Sequence, residues 1–147
     1  MDKRPTEELD RILEQTAPDQ IGDYFLSNRK DLADTNKAFC YYFKDVIDAK
    51  HIMLKDVYAR AGLTESYGSK IVSMEKHTKN RDVIIRLCLA GHFTLDEMNR
   101  ALKLYGFNEL YSKNPRDACM IVALNNRICD ADKINEILKA NGLKEIG

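Results

Sequence analysis

The chain has 147 residues, 44% of them apolar and 31% charged, with 23 basic and 23 acidic side chains. That is the make-up of an ordinary globular protein that can bury a core without disulfide or metal staples, and its zero net charge argues against a general nucleic-acid coat. No apolar run approaches the roughly 20 residues of a membrane span, and the opening MDKRPTEELDRILEQ lacks the apolar centre of a secretory signal, so the expected location is cytoplasmic.

Residues 1–34 form an acidic arm, with five basic and nine acidic residues. Leu9, Ile12 and Leu13 make one amphipathic pair of turns, and Ile21, Tyr24 and Phe25 another. Pro18 and Gly22 interrupt them, so the arm is expected to be only partly helical. Residues 35–50 then read as a helix whose Phe39, Phe43, Val46 and Ile47 face a core. Between 53 and 61, Leu54, Val57, Tyr58 and Ala61 recur at helical spacing. Gly62 follows where a helix end tolerates left-handed φ, and Leu63 pins the turn. Thr64 is placed to cap a second helix over 64–73. Ile71 turns that helix towards the first, leaving Glu65, Ser66, Tyr67, Ser69, Lys70 and Ser73 outward. A basic tail with Lys76, His77, Lys79 and Arg81 comes next. Residues 35–81 carry nine basic and five acidic residues, so positive charge gathers on this segment.

From residue 81 the chain repeats itself. RDVIIRLCLAGHFTLDEMNRALKLYGFNEL (81–110) and RDACMIVALNNRICDADKINEILKANGLKEI (116–146) align at an offset of 35, becoming 36 after one insertion. The pairs Arg81/Arg116, Asp82/Asp117, Leu89/Leu124, Asn99/Asn135, Leu102/Leu138 and Gly106/Gly142 are among the identities. Each unit reads as a helical hairpin. Asn80 and Asn114 are natural N-caps, and Pro115 suits a first helical turn. Thr94 to Glu97 form a capping box, and Asp130 caps the matching helix. Gly106 and Gly142 end the hairpins. The second unit is expected to stack behind the first as in a short solenoid, and so to extend the core and dimer surface or to offer a protein-binding face.

Cys40, Cys88, Cys119 and Cys129 form no Cys-x-x-Cys pair, and His51, His77 and His92 lie at no metal-ligand spacing, so reduced cysteines and no metal are expected. No phosphate loop or nucleophile elbow is present, and the acidic pair Asp96-Glu97 belongs to a helix start. Tyr41, Tyr42 and Tyr105 suit a core or interface. The expectation is a protein that is not an enzyme, with no catalytic residues and no cofactor.

The stretch 53–81 resembles the helix-turn-helix of lambda-repressor-like regulators, the Cro and phage-repressor or XRE type, through Val57, Ala61-Gly62-Leu63, Thr64, Ser66 and Ser69-Lys70-Ile71. With its flanking helices the resemblance covers about residues 35–105, and the chain looks like small bacterial regulators of this type with extra C-terminal helices. The family commonly has a small residue where Tyr58 stands, an aliphatic one at Gly68, and a Gly where Met74 ends the second helix. The paired size change places the Tyr58 ring against Gly68.

The resemblance implies an all-α fold in which an acidic arm (1–34) precedes a helix-turn-helix domain (35–110) and an added C-terminal hairpin (111–147). It implies a sequence-specific DNA-binding transcriptional regulator acting on double-stranded DNA as a homodimer, with helix 64–73 in the major groove. Glu65, Ser66, Tyr67, Ser69 and Lys70 would meet bases, and Lys55, Lys76, Lys79 and Arg81 would grip phosphates. The alternative is a protein-interaction adaptor that keeps the repressor-like fold without DNA and binds its partner through the C-terminal hairpins.

Overall fold

A computed structural model describes residues 37–147, and the expectations for the acidic arm lie outside the described residues. The described chain is all-helical. Its helices are α1 (Ala38–Ala49), α2 (Leu54–Arg60), α3 (Glu65–Val72), α4 (Arg81–Ala90), α5 (Leu95–Tyr105), α6 (Pro115–Asn125) and α7 (Ala131–Ala140). No helix among these residues is long and apolar enough to cross a membrane.

The predicted local signals place the helix starts. Thr64, Asn80, Thr94, Asn114 and Asp130 each accept a backbone N–H with the side chain, which removes one of the orphan donors of a first turn. The capping box forms in full: Thr94 Oγ1 accepts from Glu97 N–H at 3.2 Å, and Glu97 Oε1 accepts from Thr94 N–H at 2.9 Å. Lys50 adds an ion pair to Glu97 at 3.0 Å. Burial alone would raise the Glu97 carboxyl, but the Thr94 bond and Lys50 hold it below its ordinary range.

The core is continuous from α1 to α7. Phe39 and Phe43 on α1 are wholly buried, with Tyr105 edge-on to Phe39 and Phe93 tilted against Phe43. Ile84, Ile85 and Leu87 from α4 and Met98 and Leu102 from α5 join them, and Met120, Ile134 and Leu138 carry the same core into the C-terminal hairpin. That hairpin therefore shares the core, and residues 37–147 belong to one compact unit. All four cysteines are free; Cys40 and Cys88 are buried.

The two repeated hairpins do form, as α4–α5 and α6–α7, but their relation differs from a solenoid stack. Helix α4 packs on α7, and α5 packs on α6. The polar contacts obey the same exchange. Arg81 donates to both carboxylate oxygens of Asp117, at 2.9 and 3.1 Å. Arg116 donates to both of Asp82, at 2.9 and 2.7 Å. Arg81 also binds the carbonyls of Asn108 and Glu109, while Arg116 binds those of Lys144 and Glu145. The side-chain oxygen of Asn99 accepts from Leu110 N–H, and that of Asn135 from Ile146 N–H. Residue i of one unit thus meets residue j of the other, and j meets i. This is the isologous pattern of a two-fold axis, here inside one chain. A sequence offset records that a copy exists but not the operation that relates the copies.

Candidate nucleic-acid interface

Helices α2 and α3 meet through a turn whose backbone is fixed at three points. Ala61 closes α2, Gly62 takes φ +74°, and Leu63 N–H donates back to the carbonyl of Tyr58 at 3.0 Å. Thr64 is extended, and its Oγ1 accepts from Tyr67 N–H at 3.1 Å. The element bounds fall within one residue of those expected from Gly62 and Thr64.

Helix α3 has two faces. Gly68, Ile71 and Val72 are buried. A Cβ built on Gly68 would lie 2.5 Å from Cδ1 of Tyr58, whose side chain is buried. The ring on α2 therefore fills the space left by the missing side chain on α3. The outer face presents Glu65, Ser66, Ser69 and Lys70, all exposed. Tyr67 is half-buried at the edge of this face, and the Lys76 ammonium sits 5.3 Å over its ring, a cation–π distance. Lys55 on α2 and Lys79 beyond α3 are exposed as well.

The tail after α3 is held more firmly than its composition suggests. Ser73 Oγ donates to the carbonyl of Lys70 and accepts from Glu75 N–H. Met74 stands at φ +63°, the left-handed position that a Gly would take without strain. Lys76 N–H reaches the carbonyl of Lys70 at 3.1 Å. Two contacts with α5 then fix the tail. The His77 ring stacks on Tyr105 at 4.6 Å, and the Tyr105 hydroxyl accepts from Thr78 N–H at 2.8 Å. Burial pushes the Tyr105 phenol up, which favours its neutral form. Nothing local to 76–79 in the sequence points to Tyr105, because the contact joins residues 27 apart.

Arg81 departs from the role expected of it. Its guanidinium is committed to Asp117 and to the carbonyls of Asn108 and Glu109, so it belongs to the contact between hairpins and not to a phosphate-gripping edge. Sequence proximity to Lys76 and Lys79 had grouped it with them. Lys55 on α2, Glu65, Ser66, Ser69 and Lys70 on α3, and Lys76 and Lys79 in the tail are exposed side chains, and Tyr67 is packed partly against the core. Among the described residues no group of three or more His, Cys, Asp or Glu side chains could hold a metal ion.

Comparison with protein-family models, with curated proteins and with solved structures finds no match. The functional reading therefore rests on the chemistry of this surface.

Proposed function

We propose that α2–α3 is a helix-turn-helix of the lambda-repressor-like kind and that the protein is a sequence-specific DNA-binding transcriptional regulator. The observation that carries this is the outer face of α3. It is exposed, it carries short hydroxyls at Ser66 and Ser69 beside Lys70, and exposed lysines precede it in the chain at Lys55 and follow it at Lys76 and Lys79. Short polar groups can reach base edges in a major groove, while flanking lysines neutralise phosphates. Glu65 fits as an acceptor for a cytosine amino group. One such helix reads only a short half-site, so the active form is a homodimer on a two-fold related operator.

The adaptor reading draws on one observation of its own: Arg81 is withdrawn into the hairpin contact, which lowers the charge available to DNA. A salt-dependent DNA titration separates the two. DNA binding requires affinity that falls steeply with salt, with a log–log slope reduced by about one unit for each phosphate contact removed. Lys76→Ala with Lys79→Ala should weaken binding to every sequence alike, whereas Ser66→Ala or Ser69→Ala should change the preferred sequence. A random-oligonucleotide selection that enriches no motif, together with a partner lost on deleting residues 112–147, decides for the adaptor.

A further inference from the structure

A second site lies away from the outer face of α3. The end of α2, the end of α4 and the α6–α7 turn border an open cleft of about 590 Å³, within the range of small-ligand pockets. Three arginines line it, Arg60, Arg86 and Arg127. Among the described residues none of the three forms an ion pair. Arg60 makes only a long contact of 3.5 Å to the carbonyl of Ala90 and another of 3.3 Å to the His92 ring. Arg86 has a buried Nε with no hydrogen-bond partner. Its guanidinium occupies space that Gly62 leaves open: a Cβ there would lie 2.6 Å from Nη2. Arg60 and Arg127 are exposed and Arg86 is half-buried, so positive charge gathers at this cleft, and its one desolvated nitrogen, Arg86 Nε, is costly to leave without an acceptor.

The same cleft carries carboxylates and apolar wall as well. Asp130 and Asp132 line it, with Leu89 and Ala131 supplying apolar wall. Asp130 uses one carboxylate oxygen to cap α7, accepting from Asp132 N–H at 2.9 Å. Carboxylates in a cleft with unpaired guanidiniums accept from hydroxyl or amino donors on the part of a ligand that points away from its anion.

We propose that this cleft binds a small phosphorylated metabolite, its phosphate held by Arg60, Arg86 and Arg127 and its hydroxyl or amino groups by Asp130 and Asp132. Arginine suits the task because its planar fork matches phosphate oxygens in pairs. The ligand's anion gives the guanidinium of Arg86 a charged partner. It also bridges the end of α2 and the C-terminal hairpin, which both line the cleft. The site does not depend on the DNA reading.

The test titrates inorganic phosphate into the full chain at constant ionic strength, balanced with chloride, and follows backbone amide and arginine Nε–Hε resonances. Saturable shifts should appear at Arg60, Arg86, Arg127 and His92, with a Kd of about 1 mM or tighter. Arg127→Asn keeps a residue that tolerates the left-handed turn at φ +59° and should weaken phosphate about tenfold, the loss expected for a charge-assisted bond. Arg86→Gln should do the same. Glucose 6-phosphate should bind more tightly than phosphate, and Asp132→Asn should reduce that advantage. Shifts confined to Lys70, Lys76 and Lys79 would assign the anion to the α3 surface and overturn the proposal. So would wild-type phosphate affinity in Arg127→Asn, an exposed position where loss of folding offers no escape.

Discussion

Replacing Arg116 by Met tests the reciprocal contact between the hairpins. The guanidinium gives two bonds to Asp82 and two contacts to the carbonyls of Lys144 and Glu145. Met keeps much of the aliphatic volume and removes all of them. Breaking a buried pair by deleting one partner costs about 3–5 kcal/mol, because a charge is left unpaired. Here the side chains of Arg116 and Asp82 are 20% and 11% exposed, so solvent screening reduces that to about 2–4 kcal/mol. The pH dependence gives a second measure. In the intact protein burial works to raise the Asp82 carboxyl, but Arg116 and the Gly147 N–H outweigh it and hold the group below its ordinary value. A depressed carboxyl contributes stability above its unfolded pKa of about 3.9, and that contribution is lost as pH falls through the folded value. Without Arg116, burial prevails and protonation relieves the variant. Urea unfolding at pH 7 and pH 4 should therefore show a gap that narrows at the lower pH. Arg116→Met combined with Asp82→Leu should be more stable at pH 7 than Arg116→Met alone. A single-variant cost under about 1 kcal/mol, or a gap that does not change with pH, would refute the assignment of the pair as a buried, coupled one.

Other consequences are as direct. Gly68→Leu should destabilise by about 1–3 kcal/mol through overlap with Tyr58, and a cycle with Tyr58→Ala should show coupling well beyond the roughly 0.5 kcal/mol seen for independent sites; an additive cycle in urea would refute the contact. His51 is exposed at φ +57°. The left-handed strain of about 1–2 kcal/mol, less the backbone entropy of glycine at about 0.5–1 kcal/mol, predicts that His51→Gly stabilises by about 0.5–1 kcal/mol in a thermal melt. Met74→Gly should gain less, since Met74 is half-buried against the core, and a larger gain than at His51 would contradict that contact. Loss of Lys76 and Lys79 together should flatten the salt dependence of DNA binding by about two units of log–log slope.

Local grammar made much of this fold legible. Gly62 and Thr64 bracket the α2–α3 turn because each residue type meets a backbone need of its own, and the Tyr58–Gly68 fit follows from a matched change in size. Asn80, Thr94, Asn114 and Asp130 mark helix starts for the same reason. What escaped was non-local. Asp82 and Asp117 read as helix-start acids, yet each is buried beneath an arginine 34 or 36 residues away. The turns at His51, His92 and Arg127 take left-handed φ without glycine, so no residue announces them. Arg60, Arg86 and Arg127 share a cleft although no sequence window contains any two of them within 20 residues.

The anchoring of the α3 tail to Tyr105 has a consequence for how that tail opens. An exposed, charged strip of this kind would ordinarily exchange its amide protons by local fraying, at almost no free-energy cost. The Thr78 amide instead ends on a phenol carried by α5, within a buried residue that also packs on Phe39. Its proton can be released to solvent only when the tail leaves α5 or when α5 itself opens. The stretch between Lys76 and Lys79 is thus tied at its middle to a core tyrosine, and opening it costs at least that attachment.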